Sequence, residues 1–168
     1  MKLKLEERAN GRESAIATFP NGQEGVYYYC QNTHLRIRQV VEADAEDCWK
    51  IMKDELPKIT KKFWVDRFKS IVGKRKQDDP ELILAVETRS GSILAVIYIA
   101  YENYQAHAKI NFKDEKNEEV VQNILQTFLE LLNTAWLYDR LFLERSRQKE
   151  FLFFEVKRKA NWYRNQLY

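Results

Sequence analysis

The residue types that most often carry metal or nucleophilic chemistry are sparse in this chain. It holds two histidines, His34 and His107, and two cysteines, Cys30 and Cys48. The histidines lie far apart and none of the four has the spacing of a metal ligand set, so no metal is expected. The same sparsity disfavours a Cys–His nucleophile, and Cys48 falls on the apolar face of a predicted helix, where it reads as core. No phosphate loop, dinucleotide fingerprint or Gly-x-Ser-x-Gly elbow is present. Two charged constellations remain. Lys113-Asp114-Glu115-Lys116-Asn117-Glu118-Glu119 joins a predicted strand to a long predicted helix, at the kind of joint where unpaired amides attract anions. The tail mixes Arg145, Arg147, Lys149, Lys157, Arg158, Lys159 and Arg164 with Phe151, Phe153, Phe154, Trp162, Tyr163 and Tyr168. Such a mixture can position a nucleic-acid backbone and stack bases. A terminal strand and helix docked on a core has the same composition and is the preferred reading, so nucleic acid is not an expected partner.

The elements that must position any site fit in one domain. At 168 residues, a chain can bury roughly 70% of its unfolded surface around a single core. Hydrophobic residues make up 45% and charged ones 32%, which suits a globular protein and argues against disorder. A net charge of +3 does not by itself mark a nucleic-acid binder. The first residues, Met1-Lys-Leu-Lys-Leu-Glu-Glu-Arg, lack the apolar centre of a signal peptide. No apolar run reaches the ~20 residues of a membrane span. The expectation is a reduced, cytoplasmic protein with no membrane partner.

Residues 1–33 read as an N-terminal β-hairpin extension. Ser14 to Phe19 and Val26 to Cys30 flank Pro20-Asn-Gly-Gln-Glu-Gly25, whose Asn-Gly pair suits a tight turn. Tyr27, Tyr28 and Tyr29 are expected to pack across strands of a half-buried ribbon. His34 to Val40 alternates apolar and polar, as a strand with one buried face does. A helix follows, with Asp44 as N-cap and Cys48, Ile51, Met52 and Leu56 on one face before Pro57. A second helix covers 60–72, capped by Thr60, with Trp64, Phe68, Ile71 and Val72 as its apolar face and Gly73 past its end. Its lysines, Lys61, Lys62 and Lys69, read as a solvated face. Glu81 to Glu87 and Ser92 to Tyr101 are apolar strands around Thr88-Arg-Ser-Gly91, a hairpin buried on both faces. Ala106 to Phe112 adds an antiparallel strand. The helix from about Asn117 carries Val121, Ile124, Leu125, Phe128, Leu132 and Ala135 on one stripe, widened by Leu129, Leu131 and Trp136. Leu141 to Glu144 is a short strand, and Phe151 to Phe154 is a helix turn or a strand.

Strand, helix, helix, hairpin, strand, long helix, strand resembles the element order of the GNAT family of N-acetyltransferases. Leu35-Arg-Ile-Arg-Gln-Val-Val-Glu-Ala-Asp44 is similar to that family's first strand and the Asp-Ala start of its first helix. Residues 82–99 resemble its second and third strands around a Gly turn, and Ala108 to Phe112 its fourth. The likeness covers about 34–144. It implies an α+β fold, a mixed, mainly antiparallel sheet flanked by helices, in a GNAT-like domain over 34–168 that forms one compact unit with the N-terminal hairpin.

The resemblance also implies a sheet that opens between the family's fourth and fifth strands, with acetyl-CoA or another acyl-CoA in the gap. Pantetheine would pair with backbone near Ile110, Asn111 and Phe112. Pyrophosphate would sit on amides in the pattern Gln/Arg-x-x-Gly-x-Gly/Ala, whose three positions fall here on Asn117, Val120 and Gln122. None of the three matches, and carboxylates surround the loop. Glu87 and Glu102 are the carboxylates that could act as bases, and Phe154 stands where the family has an acidic tyrosine, leaving Tyr163 as the remaining tyrosine candidate. Two functions follow from the resemblance. One is a divergent acyl-CoA-dependent N-acyltransferase acting on a small-molecule or protein amine by direct attack on the thioester. The other is a catalytically degenerate GNAT-fold module for binding or oligomerisation, in which a homo-oligomer would be natural.

Overall fold

The computed structural model describes residues 4–7, 13–18, 24–73, 81–102, 105–135, 140–145 and 150–155. In chain order the strands are β1 (Lys4–Glu7), β2 (Glu13–Thr18), β3 (Glu24–Cys30), β4 (Leu35–Gln39), β5 (Glu81–Glu87), β6 (Ile93–Glu102), β7 (Gln105–Phe112), β8 (Arg140–Arg145) and β9 (Glu150–Glu155). The helices are α1 (Ala45–Met52) and α2 (Lys61–Gly73), between β4 and β5, and α3 (Glu118–Ala135), between β7 and β8. The strands form one sheet in the order β1 to β9. Every neighbouring pair is antiparallel except β7 and β8, which run parallel across the α3 crossover.

The expected hairpin is present as β2 and β3, with Ile16 opposite Val26. It continues outward into β1 and inward onto β4, so the extension prolongs the main sheet. The turn at 31–34 is tied to α3. Asn32 Nδ2 donates to Glu130 Oε1 at 2.7 Å, the hydroxyls of Thr33 and Thr127 lie 2.6 Å apart, and the Cys30 thiol donates to Glu130. His34 closes this turn with φ 58°, a left-handed conformation that few residues other than glycine adopt. Phe151 to Phe154, open between helix and strand in the sequence, lies in β9.

Two apolar layers cover the two faces of the sheet. Strand alternation sends Ile37, Leu84, Ile97 and Ile110 to one face, where they meet Val121, Ile124, Phe128 and Leu132 of α3. It sends Ala85, Ile83 and Val96 to the other, under Cys48 and Ile51 of α1 and Phe68 and Val72 of α2. β5 and β6 are therefore buried on both faces, as their apolar runs predict. Leu129 departs from the expected stripe and is 37% exposed, whereas Leu131 is fully buried. Thr60 caps α2 as read from sequence, its hydroxyl accepting the Phe63 amide at 3.2 Å. α1 is shorter than expected, giving way to a 3-10 turn at Lys53–Glu55. No helix among the described residues is long and apolar enough to cross a membrane.

Cys48 has no exposed surface, and burial, with Asp44 adding to it, pushes its thiol up to about 12. A thiol held neutral in the fold favours folding below its ordinary pKa of 9.0, and that contribution drains away as pH rises from there toward about 12. Stability is expected to fall by up to ~1.4 kcal/mol per pH unit over this window from this group. Denaturant titrations at several alkaline pH values, with Cys48→Ala as comparator, should show a flatter profile for the variant.

Candidate functional site

The C-terminal end of β7 and the start of α3 are where the sequence places its candidate residues, and the fold brings them together. Ile110 and Phe112 are buried beneath α3. Asn111 points to the opposite face, in a row across the sheet with Val96, Ala85 and Arg38. It is 4% exposed, and its Oδ1 has no hydrogen-bond partner among the described residues. β8 pairs with β7 in unbroken register from Ala106 opposite Leu141 to Ile110 opposite Arg145. Arg145 is the last described residue of β8, and β7 runs two residues further, to Phe112. Along the described length of β8 the two strands do not part.

At the head of α3, Asn117 is the capping residue. Its Oδ1 accepts the Val120 amide at 3.3 Å, and its carbonyl accepts the Val121 amide at 3.0 Å. Val120 packs against the core, and the exposed Gln122 donates to Glu118 at 2.9 Å. An incoming pyrophosphate would find the Val120 amide already engaged by Asn117, and Glu118 and Glu119 in the first turn. Like charges at this range are repulsive, and no glycine lets the backbone approach closely. The residues at this helix start do not fit a pyrophosphate.

Glu87 is not an available base. It is 2% exposed and sits in an ion cluster that sequence reading missed. Arg36 Nε donates to Glu87 Oε1 at 2.5 Å, and Arg38 Nε lies 3.0 Å from the same oxygen, off the hydrogen-bond direction. Arg38 also grips Asp44 with two bonds of 2.7 and 2.8 Å. Burial works against the Arg38 charge, but Asp44 and Glu87 outweigh it and raise its pKa. Asp44 precedes α1 yet does not cap it. Its carboxylate turns to Arg38 and to the Val41 amide at 2.7 Å. The polar side of β4 thus holds a charge cluster, with Arg36 half-buried and Arg38 buried, while His34 is exposed. Two arginines alternating with apolar residues, followed by an aspartate, are its sequence trace. The side chain of Glu102, the residue Tyr163 and the basic aromatic tail beyond β9 lie outside the described residues.

Sequence reading also missed a pocket on the α1/α2 face. It has a volume of about 210 Å³ and opens between α2 and the strands β5 and β6, with Trp64, Ile71, Ile83 and Val96 among its walls. Trp64 stacks on Phe68 with ring centroids 5.2 Å apart. At the pocket's edge Arg67 clamps Glu81 with bonds of 2.7 and 2.8 Å, and the Tyr98 hydroxyl donates to Glu81 at 2.5 Å. Two α2 lysines outside it pair with acids, Lys61 with Glu46 at 2.8 Å and Lys69 with Glu42 at 3.6 Å. No His, Cys, Asp or Glu cluster able to hold a metal occurs among the described residues.

No protein-family model matches the chain, and no curated protein matches its sequence. Solved structures match its fold. A spermidine N-acetyltransferase from Vibrio cholerae in complex with CoA and spermine superposes with a TM-score of 0.51 at 14% identity, covering 67% of this chain and 71% of that one. A spermidine N-acetyltransferase chimera from Vibrio cholerae and hSSAT gives 0.52 at 14% identity, over 66% and 69%. An acetyltransferase of the GNAT family from Bacillus anthracis gives 0.50 at 14% identity, over 66% and 69%. The chain has the fold of the GNAT N-acetyltransferases.

Proposed function

We propose that this protein is a divergent N-acyltransferase that takes its acyl group from acetyl-CoA or another acyl-CoA and gives it to a small-molecule or protein amine, in the cytoplasm. The observation that carries this reading is the parallel step from β7 to β8 across α3, with β7 running on to Phe112 and the chain entering α3 at Glu118. In proteins of this fold that resemble the chain, one is described with CoA and spermine bound. What this chain supplies at the joint is positioning. The backbone of Ile110 to Phe112 would align the thioester arm, held rigid by burial of Ile110 and Phe112 beneath α3. The head of α3 contributes nothing to the phosphates.

That division makes the test specific. Acetyl-CoA is expected to bind saturably by calorimetry, and acetyl-pantetheine, which lacks the nucleotide, to bind within about threefold of it, a gap below ~1 kcal/mol. Amine-dependent release of the CoA thiol completes the reading. No heat and no thermal shift at millimolar acetyl-CoA would overturn it in favour of a second one. In that reading the fold is kept as a binding or oligomerisation module, which the capped Val120 amide and the carboxylates of Glu118 and Glu119 favour.

A further inference from the structure

The pocket under α2 lies one strand from the proposed transfer site. Two of its wall residues, Val96 and Tyr98, pair directly with Asn111 and Lys109 of β7, and neighbouring strands are about 4.8 Å apart. Its volume of about 210 Å³ exceeds the ~150 Å³ of an engineered apolar cavity that stays dry and takes up benzene. A single ring with a short arm therefore fits. The walls are apolar and aromatic, with Met52, Trp64, Ile71 and Ile83 contributed by α1, α2 and β5. Few convergent polar groups on an apolar surface are the common pattern of a small-molecule site.

Charge at the edge narrows the ligand further. Among the described residues the pocket presents one carboxylate, Glu81, and one guanidinium, Arg67, already paired with each other. A polyamine carries several ammonium groups and would need several carboxylates to offset their desolvation. The described walls of this pocket offer one. We infer that it receives the apolar end of the acceptor, and that the acceptor class is a monoamine bearing one aromatic or branched apolar group, not a polyamine. The amine in this assignment rests on the acyltransfer reading above; the apolar occupant rests on the pocket alone.

The test uses the full chain, with 2-phenylethylamine, 2-phenylethanol and spermidine titrated by calorimetry, and with the pocket-filling variant Ile71→Trp checked for folding by circular dichroism. Saturable sub-millimolar binding of 2-phenylethylamine is expected, with 2-phenylethanol and spermidine each weaker by about tenfold or more, and a loss of about tenfold in a folded Ile71→Trp. Met52→Trp fills the same space from α1 should Ile71→Trp fail to fold. Equal or tighter binding of spermidine or 2-phenylethanol, an unchanged affinity in the folded filling variant, or no binding of 2-phenylethylamine would overturn the inference. Binding of 2-phenylethylamine without turnover of acetyl-CoA would remove the acyltransfer reading and leave a pocket for an apolar amine. Turnover of acetyl-CoA with spermidine alone would do the reverse.

Discussion

Replacing Arg38 with methionine is expected to destabilise the protein by about 3–5 kcal/mol, the range for breaking a buried ion pair by removing one partner. Arg38 is 5% exposed, Asp44 8% and Glu87 2%. Methionine fills similar volume, so the loss comes from the charges left behind. Asp44 would lose two hydrogen bonds, and of its two arginine partners among the described residues Glu87 would keep Arg36. Denaturant unfolding measures the effect. In a double-mutant cycle with Asp44→Leu, the summed single losses should exceed the loss of the double variant by about 1–3 kcal/mol, because each partner's removal is costly only while the other remains. A cost below ~1 kcal/mol for Arg38→Met would place the cluster among exposed pairs.

Phe128→Ala is expected to cost about 3–5 kcal/mol through the lost transfer energy and the cavity left in the core. Phe128 has no exposed surface and sits mid-way along α3. It packs in the same layer as Ile110 and Phe112, so loosening it also frees the backbone proposed to align the acyl donor. Unfolding reads the stability loss, and acetyl-CoA affinity in the folded variant reads the alignment, which should weaken with it. Unchanged affinity in a destabilised but folded variant would separate α3 packing from donor binding.

Much of the fold was legible because apolar periodicity follows local geometry. The α3 stripe and the two apolar strands of the β5–β6 hairpin carry periods of 3.6 and 2 that admit few other readings. The Thr88 to Gly91 turn was legible through its glycine, which holds φ 92°. What the periodicity hid was partnership. Arg36 and Arg38 look like an exposed face, and only Glu87 and Asp44, brought alongside by β5 and by the turn into α1, make that face buryable. The pocket was hidden for a related reason. Trp64 and Ile71 read as ordinary core, because the sequence shows which residues face inward but not where their packing leaves a gap. At the head of α3, Asn117, one of the three residues that depart from the pattern, caps the helix, and Glu118 and Glu119 charge its first turn.

The order of strands across the sheet is the order of strands along the chain. Each strand pairs with its sequence neighbours, so most pairing spans only a few residues of chain, and two closures span helices: β4 to β5 across α1 and α2, and β7 to β8 across α3. Those two steps carry most of the loop-closure entropy. Folding should therefore be limited by joining three locally formed ribbons, β1 to β4, β5 to β7 and β8 to β9, rather than by forming any one of them. The Arg38–Glu87 contact seals the first junction. The second forms at β7 itself, so the strand proposed to align the donor is also where the chain completes its assembly.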